Sequence, residues 1–188
     1  MSQGVDTFGC IRNTIKLASG AYLDIANPDP NLIDLESIAH GLSMTCRYGG
    51  QCPEFYSVAE HSVLCTVAAR EAGDSDILRD VLLHDAAEAF IGDIPKPIKL
   101  MLPDYQEVEA AVEAAIRERF GLSVDSADRV KKYDRAVLKL EKQTMWPEDS
   151  EEWEGFSEIE AIKLPVSYWT PDRAKRSFLS LAGSVGLE

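Results

Sequence analysis

"LLHDAAEAFIGDIPKPIK", residues 82–99, decides how this chain is read. Its first half has apolar residues on several sides and carries His84, Asp85 and Glu88. The pattern predicts a helix from about Ile77 to Ile91, stopped by Gly92 and followed by a proline-rich connection. On a helix Glu88 lies at i+4 from His84 and i+3 from Asp85, so two carboxylates and an imidazole crowd one face. Burying carboxylates costs several kcal/mol unless they are paired or bound to metal. Arg79 is the one cation within a turn on that face, so a divalent cation is the simplest resolution. Mixed nitrogen and oxygen ligation suits Mn, Co, Zn or Fe better than Ca.

One helix cannot fill a coordination sphere. Just upstream lies "YSVAEHSVLC", residues 56–65. Ser57 and Glu60 read there as a capping box: the hydroxyl takes the Glu60 amide, and the carboxylate reaches back to the Ser57 amide. That helix runs to about Gly73 and brings His61, the obvious further ligand. Downstream, "KKYDRAVLKLE" places Asp134 in mid-helix between apolar neighbours, the best later carboxylate. Water and substrate oxygen would complete an open catalytic sphere.

Other elements follow from caps and breakers. "NTIKLASGAYLDI" alternates around Ser19-Gly20 and predicts a hairpin over about 12–26. Asp34 caps a helix over "LESIAHGLSMTC", and "RYGGQCPEF" is a loop. Asp104 and Glu107 open a helix with Val108, Val112 and Ile116 on its core stripe, ending at Gly121. Another spans about Ser126 to Met145 and stops at Pro147. An acidic, solvated loop follows, and Thr170-Pro171 starts a last helix. The expectation is a mainly α single domain: an N-terminal β-hairpin, a helical core over about 34–146, and an acidic loop with a C-terminal helix over 147–188.

Composition bounds the function. The 188 residues are 45% hydrophobic, enough for one core, and carry a net charge of −13. Such a chain does not attract nucleic acid polymers or anionic membranes through its bulk field; phosphate must be met locally. Cys10, Cys46, Cys52 and Cys65 form no C-x-x-C pair and read as reduced, mostly buried thiols. "MSQGVDTFGC" has no secretion signal and no stretch reaches membrane-span length, so a cytoplasmic protein is expected.

The ordered set His61…His84-Asp85…Asp134 resembles the HD phosphohydrolase superfamily. "HDAAEAFIGDIPKPIK" is similar to the HD-x-x-E-x(4)-D-[IL]-P-x-P-x-K run of bacterial 5′-deoxynucleotidases and related phage deoxynucleotide triphosphohydrolases. "CRYGGQCPEFYSVAEHSVLC" resembles their R-[FYW]…YSVAEH segment. The resemblance covers roughly residues 12–140. It implies an HD-domain helical bundle with a divalent metal (Mn, Co, Zn or Mg) held by His61, His84, Asp85 and Asp134. Glu88 and Asp93 match the catalytic carboxylates. Arg47 matches a phosphate-binding arginine, Tyr48 an aromatic position beside the sugar that excludes a 2′-hydroxyl, and Lys99 a phosphate-facing lysine. A homo-oligomer, a dimer or larger ring, is implied by analogy.

The activity so implied is 5′-nucleotidase action on deoxynucleoside monophosphates. The alternative is release of tripolyphosphate from a deoxynucleoside triphosphate such as dATP, with Lys131 or Lys132 as extra cations. A non-catalytic nucleotide or metal sensor is a further class, and a packing scaffold a third. The GYP signature of cyclic-dinucleotide phosphodiesterases is absent. The plainer readings are a satisfied helix histidine at His61, an orienter of His84 at Glu88, a turn residue at Asp93, a core histidine at His40 and a solvated lysine at Lys96.

Overall fold

The computed structural model describes residues 13–153 and 155–187. Two short strands, β1 (Thr14–Lys16) and β2 (Tyr22–Asp24), pair antiparallel with Ile15 opposite Leu23. Gly20 makes the turn at φ +89°, and Leu17 and Leu23 point into the core. Residue 12 of the expected hairpin, like Cys10, lies outside the described residues.

Eight α-helices follow among the described residues: α1 (Leu35–Met44), α2 (Val58–Glu71), α3 (Leu78–Leu82), α4 (Glu88–Ile91), α5 (Lys96–Lys99), α6 (Pro103–Phe120), α7 (Ala127–Met145) and α8 (Pro171–Ser184). Their starts obey local chemistry. The Asp34 carboxylate accepts the Ser37 amide at 2.7 Å, and the Thr170 hydroxyl accepts the Arg173 amide. Gly121 ends α6 in the left-handed conformation. The protein is mainly α with a small hairpin, as its sequence predicts.

α2 is the axis of the bundle. It packs on α1, α3, α7 and α8, and Val58 to Thr66 are all buried. Around it lie two apolar clusters. One joins Ile38, Leu42, Leu82, Val112 and Phe178; the other joins Tyr56, Leu64, Val81, Tyr133 and Val137. α1 also meets α4, where Gly41 faces Ala89. A Cβ on Gly41 would stand 2.5 Å from the Ala89 carbonyl oxygen and 2.8 Å from its Cβ.

The structure departs from expectation in several places. The helix expected over 77–91 is two short helices with a turn at residues 83–87 between them, and His84 and Asp85 sit in that turn. The cause is local. His84 Nδ1 donates to the Val81 carbonyl at 2.8 Å, an oxygen an α-helix would offer to the amide of residue 85. The amides of Ala86, Glu88 and Ala89 then close tighter turns, each onto the carbonyl three residues back. Ser57 caps the Glu60 amide at 3.2 Å as expected. The Glu60 carboxylate does not close the box; it accepts the amides of Ser167 (2.8 Å) and Trp169 (2.6 Å) instead. His40 is exposed on α1 rather than packed in the core. Cys65 alone of the described cysteines is buried; Cys46 and Cys52 are half-buried. The proline-rich connection contains α5, on which Lys96 is exposed. Arg79 donates to the Phe120 carbonyl at 2.6 Å and does not serve the His84 turn.

Candidate metal centre

Three elements bring the expected ligands together. α2 supplies His61, the turn at 83–87 supplies His84 and Asp85, and α7 supplies Asp134. His61 Nε2 lies 3.3 Å from Asp134 Oδ1 and 3.7 Å from Asp85 Oδ2. His84 Nε2 lies 3.2 Å from Asp85 Oδ2 and 3.9 Å from Asp134 Oδ1. Both imidazoles spend Nδ1 elsewhere, His84 on the Val81 carbonyl and His61 on Glu141 at 2.6 Å. Both Nε2 atoms therefore face the same small volume. A ring nitrogen fixed by its partner's hydrogen bond is how proteins orient a metal-ligating histidine.

Cys65 stands one turn beyond His61, its sulfur 3.4 Å from His61 Nε2. The ligand atoms of His61, Cys65 and His84 all lie within 4.8 Å of one another, so this group could hold a metal ion. Burial pushes the Cys65 thiol up to about 11, and it donates to the Tyr133 carbonyl. A bound cation would displace that proton, so the thiol stands beside the two histidines as a candidate ligand.

Glu141 is the residue that sequence reading missed. It lies two turns after Asp134 on the same face of α7, and that spacing was the available signal. It is fully buried. Around it converge His61 Nδ1, the Tyr56 hydroxyl at 2.7 Å, the Tyr48 hydroxyl and Arg47 Nε at 3.5 Å. Burial opposes its charge, but Arg47 and His61 outweigh burial and hold its pKa down to about 2.

The remaining acids divide into two groups. Burial opposes ionisation of Asp85, yet His84, His61 and Arg47 keep it well below the ordinary carboxylate range. Asp134 is likewise lowered, burial being outweighed by His61 and His84. Glu88 and Asp93 go the other way. Burial, with Asp85 and Asp93 nearby, pushes Glu88 up to about 9. Burial also raises Asp93, which accepts the Tyr48 amide at 3.1 Å. The histidines feel the carboxylates. Burial disfavours charge on His84, but Asp85 and Asp134 outweigh it and raise its pKa.

Arg47 reaches this centre from the loop after α1. It is buried, with Nη1 3.4 Å from Asp85. An antiparallel bridge between Cys46 and Ser57 and the Arg47 amide on the Tyr56 carbonyl hold the loop. Tyr48, Gly49 and Gly50 all have positive φ, a run the two glycines make accessible. The Tyr48 ring meets Trp146 edge-on at 5.1 Å. Lys99 forms a 2.5 Å ion pair with Glu109. Among the described residues, Arg47 Nε, His84 Nε2 and Glu88 Oε2 are buried without a hydrogen-bond partner. Of these, His84 Nε2 faces the space shared with His61 Nε2, Asp85 and Asp134, as a nitrogen left to meet a cation would.

Fold and site define a mainly helical protein in which a group of His61, Cys65 and His84, with Asp85 and Asp134 beside it, could hold a metal ion. No family model matches the chain. It belongs to the family of the uncharacterized protein YfdR of Escherichia coli K12, with which it is 37% identical over 152 residues, 80% of this chain and 82% of that protein. An uncharacterized protein of Rhodobacter capsulatus is 35% identical over 155 residues, 79% of this chain and 77% of the relative.

Proposed function

We propose that the protein is an HD-superfamily, metal-dependent phosphohydrolase of deoxynucleotides, acting first on deoxynucleoside monophosphates to release deoxynucleoside and phosphate. One observation carries the reading: His61, His84, Asp85 and Asp134 converge within 4 Å contacts, with both Nε2 atoms turned inward. These four would hold the metal. A divalent ion there supplies Lewis-acid polarisation of a phosphoryl oxygen and acidifies water.

The chain's own residues supply the rest. Arg47 presents a guanidinium to the phosphate from beside Asp85. Glu88, whose pKa is raised by burial and by Asp85 and Asp93 nearby, can give a proton to the departing sugar oxygen. Asp93, fixed by the Tyr48 amide, orients water or the phosphate. Tyr48 positions the sugar through its backbone turn, since its hydroxyl is committed to Glu141. A triphosphate is the second reading. It is favoured by Arg117 and Lys131, which line a cavity beside His84 and Asp134.

The test is a product assay. Protein loaded with Mn or Co meets deoxynucleoside mono- and triphosphates with ribonucleotide controls, and mass spectrometry identifies the phosphate released. Orthophosphate from monophosphates is expected, and Glu88→Ala should lose turnover while keeping metal. Tripolyphosphate would establish the second reading. Tight nucleotide binding without product under any metal would make the protein a sensor.

A further inference from the structure

Cys46 and Cys52 stand six positions apart at the two ends of the loop that carries Arg47, with their sulfurs 3.5 Å from each other. The chemistry proposed at the metal centre uses neither of them. Both are half-buried and partly open to solvent, whereas Cys65 is closed off in the core. Cys46 is held by its backbone bridge to Ser57, and the Cys52 thiol donates to the Arg47 carbonyl at 3.7 Å. Between them Tyr48, Gly49 and Gly50 run through three successive positive φ values. The Gly50 and Gln51 amides close this turn onto the Arg47 and Tyr48 carbonyls, both at 3.1 Å. The chain doubles back there, and that brings the two sulfurs together.

We infer that Cys46 and Cys52 are a modification site, which a low-molecular-weight disulfide such as oxidised glutathione converts to a disulfide that staples the loop carrying Arg47 and Tyr48. The inference stands apart from the phosphohydrolase reading. The exchange takes two steps. The Cys46 thiol gives up its proton, and its sulfur attacks one sulfur of the small disulfide, releasing one thiolate. The Cys52 sulfur, its proton lost in turn, attacks the Cys46 sulfur of this mixed disulfide and releases the second thiolate. The two thiolates take up the two protons, and two electrons pass from the protein to the small disulfide. Burial and the hydrogen bond with Cys46 raise the Cys52 thiol to about 11, which suits it to the second, intramolecular step. The sulfurs must draw together from 3.5 Å to about 2 Å. Exposed Gly49, Gly50 and Gln51 can take up that movement, while Arg47 is buried with its amide on the Tyr56 carbonyl at 2.9 Å.

The test incubates the full chain with oxidised glutathione and maps the products by tryptic digestion and mass spectrometry. Trypsin cuts after Arg47, between the two cysteines, so the bond appears as two peptides that separate only on reduction. The wild type should form it, lose it in excess reduced glutathione, and gain about 2 °C or more in Tm while oxidised. Amide exchange at 49–51 should slow about threefold or more, with exchange in α6 unchanged. Cys46→Ser and Cys52→Ser should each carry a glutathione adduct on the remaining cysteine, with no gain in Tm. Thiols that stay unmodified in the wild type would overturn the inference. So would a lasting glutathione adduct on either cysteine, or a bond to Cys10 or Cys65 in place of this one. A Cys46–Cys52 bond that leaves both Tm and exchange at 49–51 unchanged would overturn it too, because the loop would not then be stapled.

Discussion

Glu141 is closed off from solvent behind His61 and Arg47. Its carboxylate fixes the His61 tautomer and gathers Arg47, Tyr48 and Tyr56 onto one anion. Glu141→Gln keeps the shape and removes the charge. Metal affinity, measured by calorimetric titration, should fall about 10- to 100-fold while the fold persists. Unchanged affinity would mean that Glu141 only packs. Glu88 sets a pH dependence. Its ordinary value is 4.5 and the metal-free fold raises it to about 9. Between those values the folded chain binds more protons than the unfolded one, so stability declines as pH rises through that window. Urea midpoints of metal-free protein should therefore fall from pH 5 to pH 9, and Glu88→Gln should flatten the slope. An identical slope in the variant would remove Glu88 from the account. The scarce histidines and the acids beside them were legible in the sequence. Glu141 was not, because its spacing from Asp134 is the one local mark it carries and its partners come from α2 and the loop after α1.

At the scale of elements, the caps were legible and the turn was not. Asp34, Ser57, Thr170 and Gly121 act through atoms within four residues, so their effect can be read from spacing. The break at residues 83–87 arises because one imidazole competes with the helix ladder, and a pattern of apolar residues cannot show that. The capping box failed for a related reason. Glu60 meets amides more than a hundred residues away, and these stabilise it better than a local amide would. That contact fastens the segment before α8 onto the axis of the bundle. Glu60→Ala should leave the Ser167 and Trp169 amides unpaired, at a cost of roughly 1–3 kcal/mol. Amide exchange at 167–169 should accelerate more than at α6. Uniform exchange in the variant would show the segment to be held by other contacts.

For the molecule as a whole, the candidate ligands come from α2, the turn at 83–87 and α7, which are far apart in sequence. A bound ion would therefore bridge separate parts of the bundle. An ion at 100 times its Kd stabilises by about 2.7 kcal/mol if it binds only the folded chain. Adding Mn, Co or Zn to metal-free protein should raise Tm, and Asp85→Ala should abolish the gain. A Tm indifferent to all three would argue against a centre that spans these elements. The net charge of −13 excludes a bulk attraction for phosphate but gave no hint that one buried arginine faces the acids. The contact between Gly41 and Ala89 reaches further than its size suggests. Every missense change of a glycine codon adds at least a Cβ, and here any Cβ collides with the backbone of the short helix that begins at Glu88. In a saturation-mutagenesis screen scored for activity, position 41 should thus be as intolerant as the histidines, although it touches neither ligand nor substrate. Survivors such as Gly41→Ala or Gly41→Ser would show that this helix can yield, and a permissive score there would mean the placement of Glu88 has slack.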